Sequence, residues 1–334
     1  MNDLELSERI FLGYFLCKHS SSSGFLSAFK PHWNELIEES LLQKMAMLNF
    51  PVNNIFPWKD ELSKGITPDE YCISFLDQPK LFLRIRPGNK SSLIKKLNDA
   101  GLEFEMSGKD SIALANSTPI DRLIETDKEA VVQDLNSQKA LDYLNESAGR
   151  NLLTGMHFPI TCWDCCAASG GKSILVHDIL KGRVKITASD IRESSLANLR
   201  KRFSRAGIRD FNSFPADLSS FKTMLPATPY QLIICDVPCT GSGTWSRTPE
   251  KLFYFDQEMI AGFATRQQKI VSAAIPQLQK GGLFFYITCS VFKKENEEIA
   301  EYIQKESGLQ LLQAGLLKGY DKKADTMYSA VFRK

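Results

Sequence analysis

From residue 160 onward the sequence alternates short apolar runs with longer stretches of helical periodicity, and this alternation limits the fold more than any other feature. Runs at 160–164, 184–189, 211–215, 230–235 and 283–288 read as strands, and Tyr328 to Arg333 reads as a closing strand. The segments 171–181, 193–206, 256–279 and 295–306 read as helices. Strands that are apolar throughout and separated by helices belong to a parallel sheet covered on both faces. The fold class expected is therefore α/β with a mainly parallel sheet. Such sheets keep their ligands at the carboxyl ends of the strands, so the residues that end each strand are the ones to inspect.

Two of these ends carry a cysteine. Leu232-Ile233-Ile234-Cys235 is an unbroken apolar strand that ends in Asp236, and Pro238 stops it because proline cannot donate to a ladder. Cys239 follows, and Gly241 and Gly243 allow a tight bend. The second stretch is a Gly281-Gly282 turn, the strand Leu283 to Thr288, and then Cys289. In one parallel sheet both thiols emerge on the same edge, a plausible site for covalent catalysis. Taken singly, each cysteine is more simply a small buried hydrophobe. Their matched positions favour the functional reading.

A third strand end suggests a ligand loop. Ile160 to Asp164 is followed by Cys165-Cys166-Ala167-Ala168-Ser169-Gly170-Gly171-Lys172-Ser173 and then by an apolar helix. A loop of small residues at this place lets a ligand approach the backbone and the helix N-terminus. Asp190 ends the next strand, where an acid typically holds ribose hydroxyls. Asp217 ends the one after it and could meet the ligand's base. Other chemistries fit less well. A phosphate-binding P-loop ending in Gly171-Lys172-Ser173 would need its first glycine at Cys166. The dinucleotide pattern G-x-G-x-x-G is absent. A zinc site from Cys162, Cys165, Cys235 and Cys239 would place two ligands inside strands. No metal is expected.

The 334 residues allow two or three domains. Residues 1–75 look helical, with amphipathic runs from Leu6 and from Trp33 to Leu42, and a small-residue breaker at Ser20 to Gly24. Residues 76–128 suggest a small α+β module: a strand at 81–86, a basic helix at 91–100, and strands at 102–106 and 112–115. Its Lys80, Arg84, Arg86, Lys90, Lys95 and Lys96 read as a solvated basic face that could also follow phosphates. Residues 129–334 form the third unit, opening with a strand at 130–132 and a helix at 136–146. A net charge of +2 neither demands nor excludes nucleic acid. No apolar run is long enough to span a bilayer. Asn2, Asp3, Glu5 and Glu8 do not make a signal peptide, and eight cysteines scattered through strand patterns argue for reduced thiols. A cytoplasmic protein is expected.

Together the motifs resemble a known family. Asp164-x-Cys166-Ala167-Ala168-x-Gly170-Gly171-Lys172, Asp190, Asp217, Asp236-x-Pro238-Cys239-x-Gly241-x-Gly243 and Thr288-Cys289-Ser290 are similar, in order, to the motifs of the Sun/Fmu (RsmB-type, NOL/NOP/Sun) RNA cytosine-C5 methyltransferases. Glu295-Asn296-Glu297 and the closing Ala330 to Arg333 fit as well. The resemblance covers about 129–334 and, more weakly, 80–116, where the family carries an RRM-like module. It implies a Rossmann-like methyltransferase fold. It also implies S-adenosyl-L-methionine (SAM) held by Cys166, Ala167, Ala168, Ser169, Gly170, Gly171, Lys172, Asp190, Asp217 and Asp236.

The resemblance further implies that Cys289 adds to carbon 6 of the target base, making carbon 5 nucleophilic toward the sulfonium methyl. Cys239 helps release the product, Asp236 hydrogen-bonds the base near ring nitrogen 3, and Lys172 supports thiolate and base. The target cytosine must be single-stranded or flipped out. The implied partner is RNA, ribosomal by expectation, with the protein acting as a monomer. A transfer-RNA substrate, or a SAM- or RNA-binding ribosome assembly factor without turnover, are the alternatives. Two departures stand out: Ser169 replaces a usual proline, and Trp245-Ser246-Arg247-Thr248-Pro249 replaces a usual basic segment.

Overall fold

The computed structural model of the protein describes residues 5–18, 23–220, 225 and 229–334. Its centre is a seven-stranded sheet made of β5 (Ile160–Asp164), β6 (Val184–Asp190), β7 (Phe211–Pro215), β8 (Tyr230–Asp236), β9 (Leu278–Thr288), β10 (Gln310–Leu317) and β11 (Met327–Arg333). The strand order is β10-β11-β9-β8-β5-β6-β7. All pairs from β9 to β7 are parallel, while β11 runs antiparallel to both β9 and β10. The chain starts at β5, goes outward to β7 and returns to β8 on the other side of β5, so β5 and β8 flank the switch point where open sheets bind ligands. The expected α/β, Rossmann-like architecture is present.

Helices cover both faces, as the all-apolar strands require. On one face, α9 (Gly171–Ile179) and α10 (Glu193–Ala206) bury Ile174, Val176, Leu196, Leu199 and Phe203 against Ile186, Ile234 and Phe285. On the other, beyond the short α11 (Lys251–Tyr254), α12 (Glu258–Ala274) and α13 (Glu297–Ser307) bury Ile270, Val271, Ile299 and Ile303 against Ile233, Phe284 and Tyr286. The helix expected to reach residue 279 ends at Ala274, since Pro276 allows only a tight turn over Ile275–Gln277. Gly281-Gly282, read as a turn, lies within β9 instead, where the strand is irregular and Gly281 has φ +79°.

The small module is a four-stranded antiparallel sheet of order β2-β3-β1-β4: β1 (Leu81–Ile85), β2 (Glu105–Gly108), β3 (Ser111–Leu114) and β4 (Ala130–Val132). Helix α6 (Lys90–Asp99) packs Leu93 and Leu97 on Leu83, Ile112 and Leu114. The 130–132 strand, grouped on sequence with the catalytic unit, pairs with β1 and completes this sheet. The expected helix at 136–146 is broken into α7 (Leu135–Lys139) and a tight turn at Asp142–Asn145, followed by α8 (Ser147–Thr154). The break lets Gly149 sit against Tyr143, whose carbonyl oxygen would lie 1.9 Å from an added Cβ.

The N-terminal region consists of short helices α1 (Leu6–Cys17), α2 (Gly24–Phe29), α3 (Pro31–Glu35), α4 (Leu41–Met47) and α5 (Pro68–Ser74). The amphipathic run from Trp33 to Leu42 is not one helix, because Ser40 and Gln43 form a capping box that starts α4 afresh. Residues 20–22 of the expected breaker, like Asn2 and Asp3, lie outside the described residues. Phe56, Tyr71 and Phe75 pack with Trp245, Phe292 and Tyr320 in one aromatic cluster, which fixes this region behind the loops that follow β8 and β9. No helix is long and apolar enough to cross a membrane among the described residues.

Candidate active site

The two cysteines meet. The Val237 amide donates to the Ile287 carbonyl at 3.0 Å, which aligns the ends of β8 and β9. Cys239 Sγ and Cys289 Sγ stand 3.3 Å apart, both half-buried. The Cys239 thiol is held well above the usual thiol range, first by its hydrogen bond to Cys289 and then by burial. Either thiol can donate in this contact, and the raised pKa favours the protonated form of Cys239.

A buried polar cluster holds the two cysteine loops in register. Glu295 is fully buried and accepts hydrogen bonds from the Thr240 amide (2.9 Å), the Thr240 hydroxyl (2.6 Å), Gln267 Nε2 (3.0 Å) and the Ser290 hydroxyl. Burial raises its pKa, and these four donors oppose the rise. Ser242 Oγ accepts from the Val291 amide at 2.9 Å, tying one loop to the other. The Gly243 amide donates to the Cys289 carbonyl at 2.9 Å, and the Gly243 carbonyl accepts from the Thr326 amide. A Cβ at Gly243 would lie 1.9 Å from the Thr326 carbonyl oxygen, so glycine is required there by close approach. Trp245 is buried and its Nε1 donates to the Thr240 carbonyl at 3.2 Å. Arg247 bridges Asp134 and Asp325 at 2.8 and 2.7 Å. The segment 245–249, which departs from the family's basic pattern, therefore braces the Cys239 loop.

Lys172 and Asp236 form the second half of the site. Lys172, in the first turn of α9, donates from Nζ to Asp236 Oδ2 at 2.8 Å and to Ser137 Oγ at 2.9 Å. Burial alone would lower the lysine's pKa, but the adjacent Asp236 carboxylate outweighs it and holds the ammonium above its ordinary value. Behind them Asp164 is fully buried, accepts from Ser173 Oγ at 2.6 Å, and is pushed up to about 7, chiefly by burial. Sequence reasoning missed Ser137, which no motif could mark because α7 reaches the site only through packing.

Beside this group lies a cavity of about 390 Å³, a volume typical of small-molecule sites. Of the expected cofactor residues, Cys166, Ala168, Asp190, Asp217 and Asp236 line it. Ala167, Ser169, Gly170, Gly171 and Lys172 shape the loop and helix start next to it instead. Gly170 has φ +86° and faces Phe203 and Leu199, where a side chain would not fit. Asp190 Oδ2 accepts from the Ala168 amide at 3.0 Å, and Oδ1 from the Arg192 amide at 2.9 Å. Each carboxylate oxygen has two lone-pair sites, so the carboxylate retains capacity for a further donor. Leu218, Val237, Pro238 and Ile270 supply apolar walls. Arg266 and Ile270 were not anticipated; they lie one turn apart on α12 and so share a face.

The family described as 16S rRNA methyltransferase RsmB/F matches residues 159–329, about half of the chain and nearly all of the large sheet. The chain belongs to this family. It is similar to ribosomal RNA small subunit methyltransferase B of Pseudomonas syringae pv. tomato, 27% identical over 260 residues, covering 75% of this chain and 56% of that protein. The probable ribosomal RNA small subunit methyltransferase B of Bacillus subtilis is 23% identical over 235 residues, covering 69% and 50%. The chain thus spans about half the length of the curated relatives it matches. Two solved structures share the fold. NSun6 from Pyrococcus horikoshii with SFG has a TM-score of 0.67 at 14% identity, covering 85% of this chain and 96% of that one. A methyltransferase homolog protein from Pyrococcus horikoshii has 0.64 at 20%, covering 82% and 92%. The RsmB/F match includes both cysteine loops, the Gly170-Gly171-Lys172 turn, Asp190 and Asp217.

Proposed function

We propose that this chain methylates carbon 5 of a cytosine in small-subunit ribosomal RNA, with SAM as methyl donor. The observation that carries the reading is the pair of thiols 3.3 Å apart, next to the Lys172–Asp236 ion pair and the neighbouring cavity. The residues lining that cavity suit SAM: a carboxylate with spare acceptor capacity for ribose hydroxyls at Asp190, a second acid at Asp217, and apolar walls for a purine. When bound, SAM supplies an electrophilic methyl group.

The protein's own groups account for the rest. Carbon 5 of cytosine is a weak nucleophile. Cys289, its thiol proton given up to solvent, adds as thiolate to carbon 6, forming a carbon–sulfur bond and moving an electron pair toward carbon 5 and ring nitrogen 3, from which carbon 5 would take the methyl group, the donor leaving as a neutral thioether. Asp236 hydrogen-bonds the base near ring nitrogen 3, and the Lys172 ammonium offsets the charge that develops there. Cys239 acts at the end. While Cys289 is free, the hydrogen bond between the thiols is the main cause of the raised Cys239 pKa. Once Cys289 is a thioether that contribution weakens, so Cys239 can lose its proton to solvent and then accept the proton of carbon 5. The carbon–sulfur bond breaks and Cys289 leaves as thiolate. General-base help of this kind is worth roughly 10²–10⁴-fold.

The names of the RsmB/F relatives support ribosomal over transfer RNA. We assign the protein as a cytoplasmic monomer with reduced thiols. We divide the chain into 1–75, 76–128 and 129–334, with the strand at 130–132 serving the small sheet. The test is transfer of labelled methyl from SAM to RNA of cells lacking the protein, with the RNA separated by size and digested to nucleosides. Label in 5-methylcytidine of small-subunit rRNA supports the reading. Label confined to transfer RNA overturns the substrate, and absence of label in a protein that binds SAM favours an assembly factor.

A further inference from the structure

A cavity of about 740 Å³, nearly twice the volume of the one beside Cys166, opens at the other end of α9. Lys172 starts that helix at the methyl-transfer site, and Asp178 lies six residues further along it, roughly 9 Å down the axis. The floor of the cavity is formed by Arg84 on β1 and Ser111 on β3, which face each other in register. Its rim carries Lys109, Lys139, Arg150 and Lys181.

Charge and hydrogen bonding describe the occupant. Seven cationic side chains line the cavity against three carboxylates. One of the three, Asp178, is engaged by Arg84 at 2.6 Å and Arg86 at 2.8 Å, leaving Asp110 and Asp142 to face the cations. Two polar atoms of the floor have no partner: Arg84 Nη2 and Ser111 Oγ. Both residues are 6% exposed. An orphaned buried polar group costs about 1–3 kcal/mol, and a guanidinium can only donate, so the missing partner is an acceptor. Among the described residues, no aromatic side chain lines the cavity to stack a base.

We propose that this groove holds the phosphodiester backbone of the RNA that is methylated at the other end of α9. The inference rests on the RNA reading of the active site. Backbone contacts fix register without reading sequence, so the groove orients the RNA while the cysteine site selects the base.

The test titrates the full chain with a fluorescent RNA hairpin of arbitrary sequence across a KCl series. It compares wild type with Lys109→Glu/Lys139→Glu/Lys181→Glu, and with the milder Ser111→Ala. Each lost phosphate contact lowers the slope of log affinity on log salt by about 0.7–0.9. The triple variant should therefore show a slope shallower by about 2–3 and bind at least about tenfold more weakly at low salt, with SAM affinity unchanged. An unchanged slope and affinity in a triple variant that still binds SAM overturns the proposal. Inorganic phosphate titrated alone separates the sources: phosphate binding lost in the variant, with the RNA slope intact, marks a small-anion site and also overturns it. A wild type whose salt slope is lost in the variant but which methylates no RNA keeps the groove and removes the methyltransferase reading.

Discussion

Two polar clusters built on buried carboxylates hold different parts of this chain. Under the cysteines, Glu295 is the one carboxylate among Thr240, Ser242, Gln267 and Ser290. Between the small module and the large sheet, two carboxylates are packed among four arginines. Asp178 receives Arg84 and Arg86, and the fully buried Asp127 receives Arg202 at 2.8 Å and Arg205 at 2.6 Å. Burial would raise both aspartates, but His177 and the two arginines at Asp178, and the two arginines at Asp127, outweigh it and hold them below the usual carboxylate range. The cluster around Glu295 fixes two short loops against each other. The charged one joins two units of the chain. Removing a member should therefore cost activity in the first case and stability in the second.

Cys289→Ala makes the sharpest break. It should lower methyl transfer by at least about 10³-fold, because no other thiol stands where Cys289 does, while SAM affinity measured by calorimetry stays within about twofold. Full activity would remove Cys289 as the nucleophile. At the other cluster, Asp127→Ala leaves Arg202 and the half-exposed Arg205 without their carboxylate and should cost about 1–3 kcal/mol of stability in denaturant unfolding. The sign of its pH dependence follows from the lowered pKa. The Asp127 and Asp178 contribution is complete above about pH 4 and is lost as pH falls further, so the wild type should lose stability in acid more steeply than the variant.

Gly243→Ala tests whether the cysteine loops tolerate displacement. The new Cβ meets the Thr326 carbonyl, and a shift of about 1 Å at a reacting group can cost about 10²-fold. The rate constant should fall by that order with the midpoint of unfolding much less affected. Ser169→Ala gives the smallest effect. Ser169 Oγ accepts from Arg202 Nη1 at 3.0 Å, so the ligand loop and the charged cluster touch at this residue. Its loss should cost about 1 kcal/mol of stability and leave methyl transfer unchanged. A large loss of activity would show that the two clusters are coupled.

The same contrast explains what could be read from the sequence. Cys239, Cys289, Asp190 and Asp236 were legible because each follows an apolar strand of a parallel sheet, and topology brings those ends to one edge. The arginine cluster was not legible. Arg84 and Arg86 read as part of a solvated basic face, yet they are buried on Asp178, because their environment depends on how the small module packs against α9. The same holds for Ser137, for the 130–132 strand, and for the broken 136–146 helix, all placed by contacts between units. Strand β10 escaped notice because it is an edge strand with little burial and hence little periodicity. Ser169, a departure from the family's proline, finds its physical place in the bond to Arg202.

The most direct test of the central claim, that Cys289 attacks and Cys239 releases, is a denaturing gel of Cys239→Ala incubated with SAM and small-subunit rRNA. The account predicts a slowly migrating protein–RNA adduct that is absent in wild type and absent again in the Cys239→Ala/Cys289→Ala double variant. A Cys239→Ala protein that binds RNA and SAM but forms no adduct, or an adduct that persists without Cys289, would contradict it.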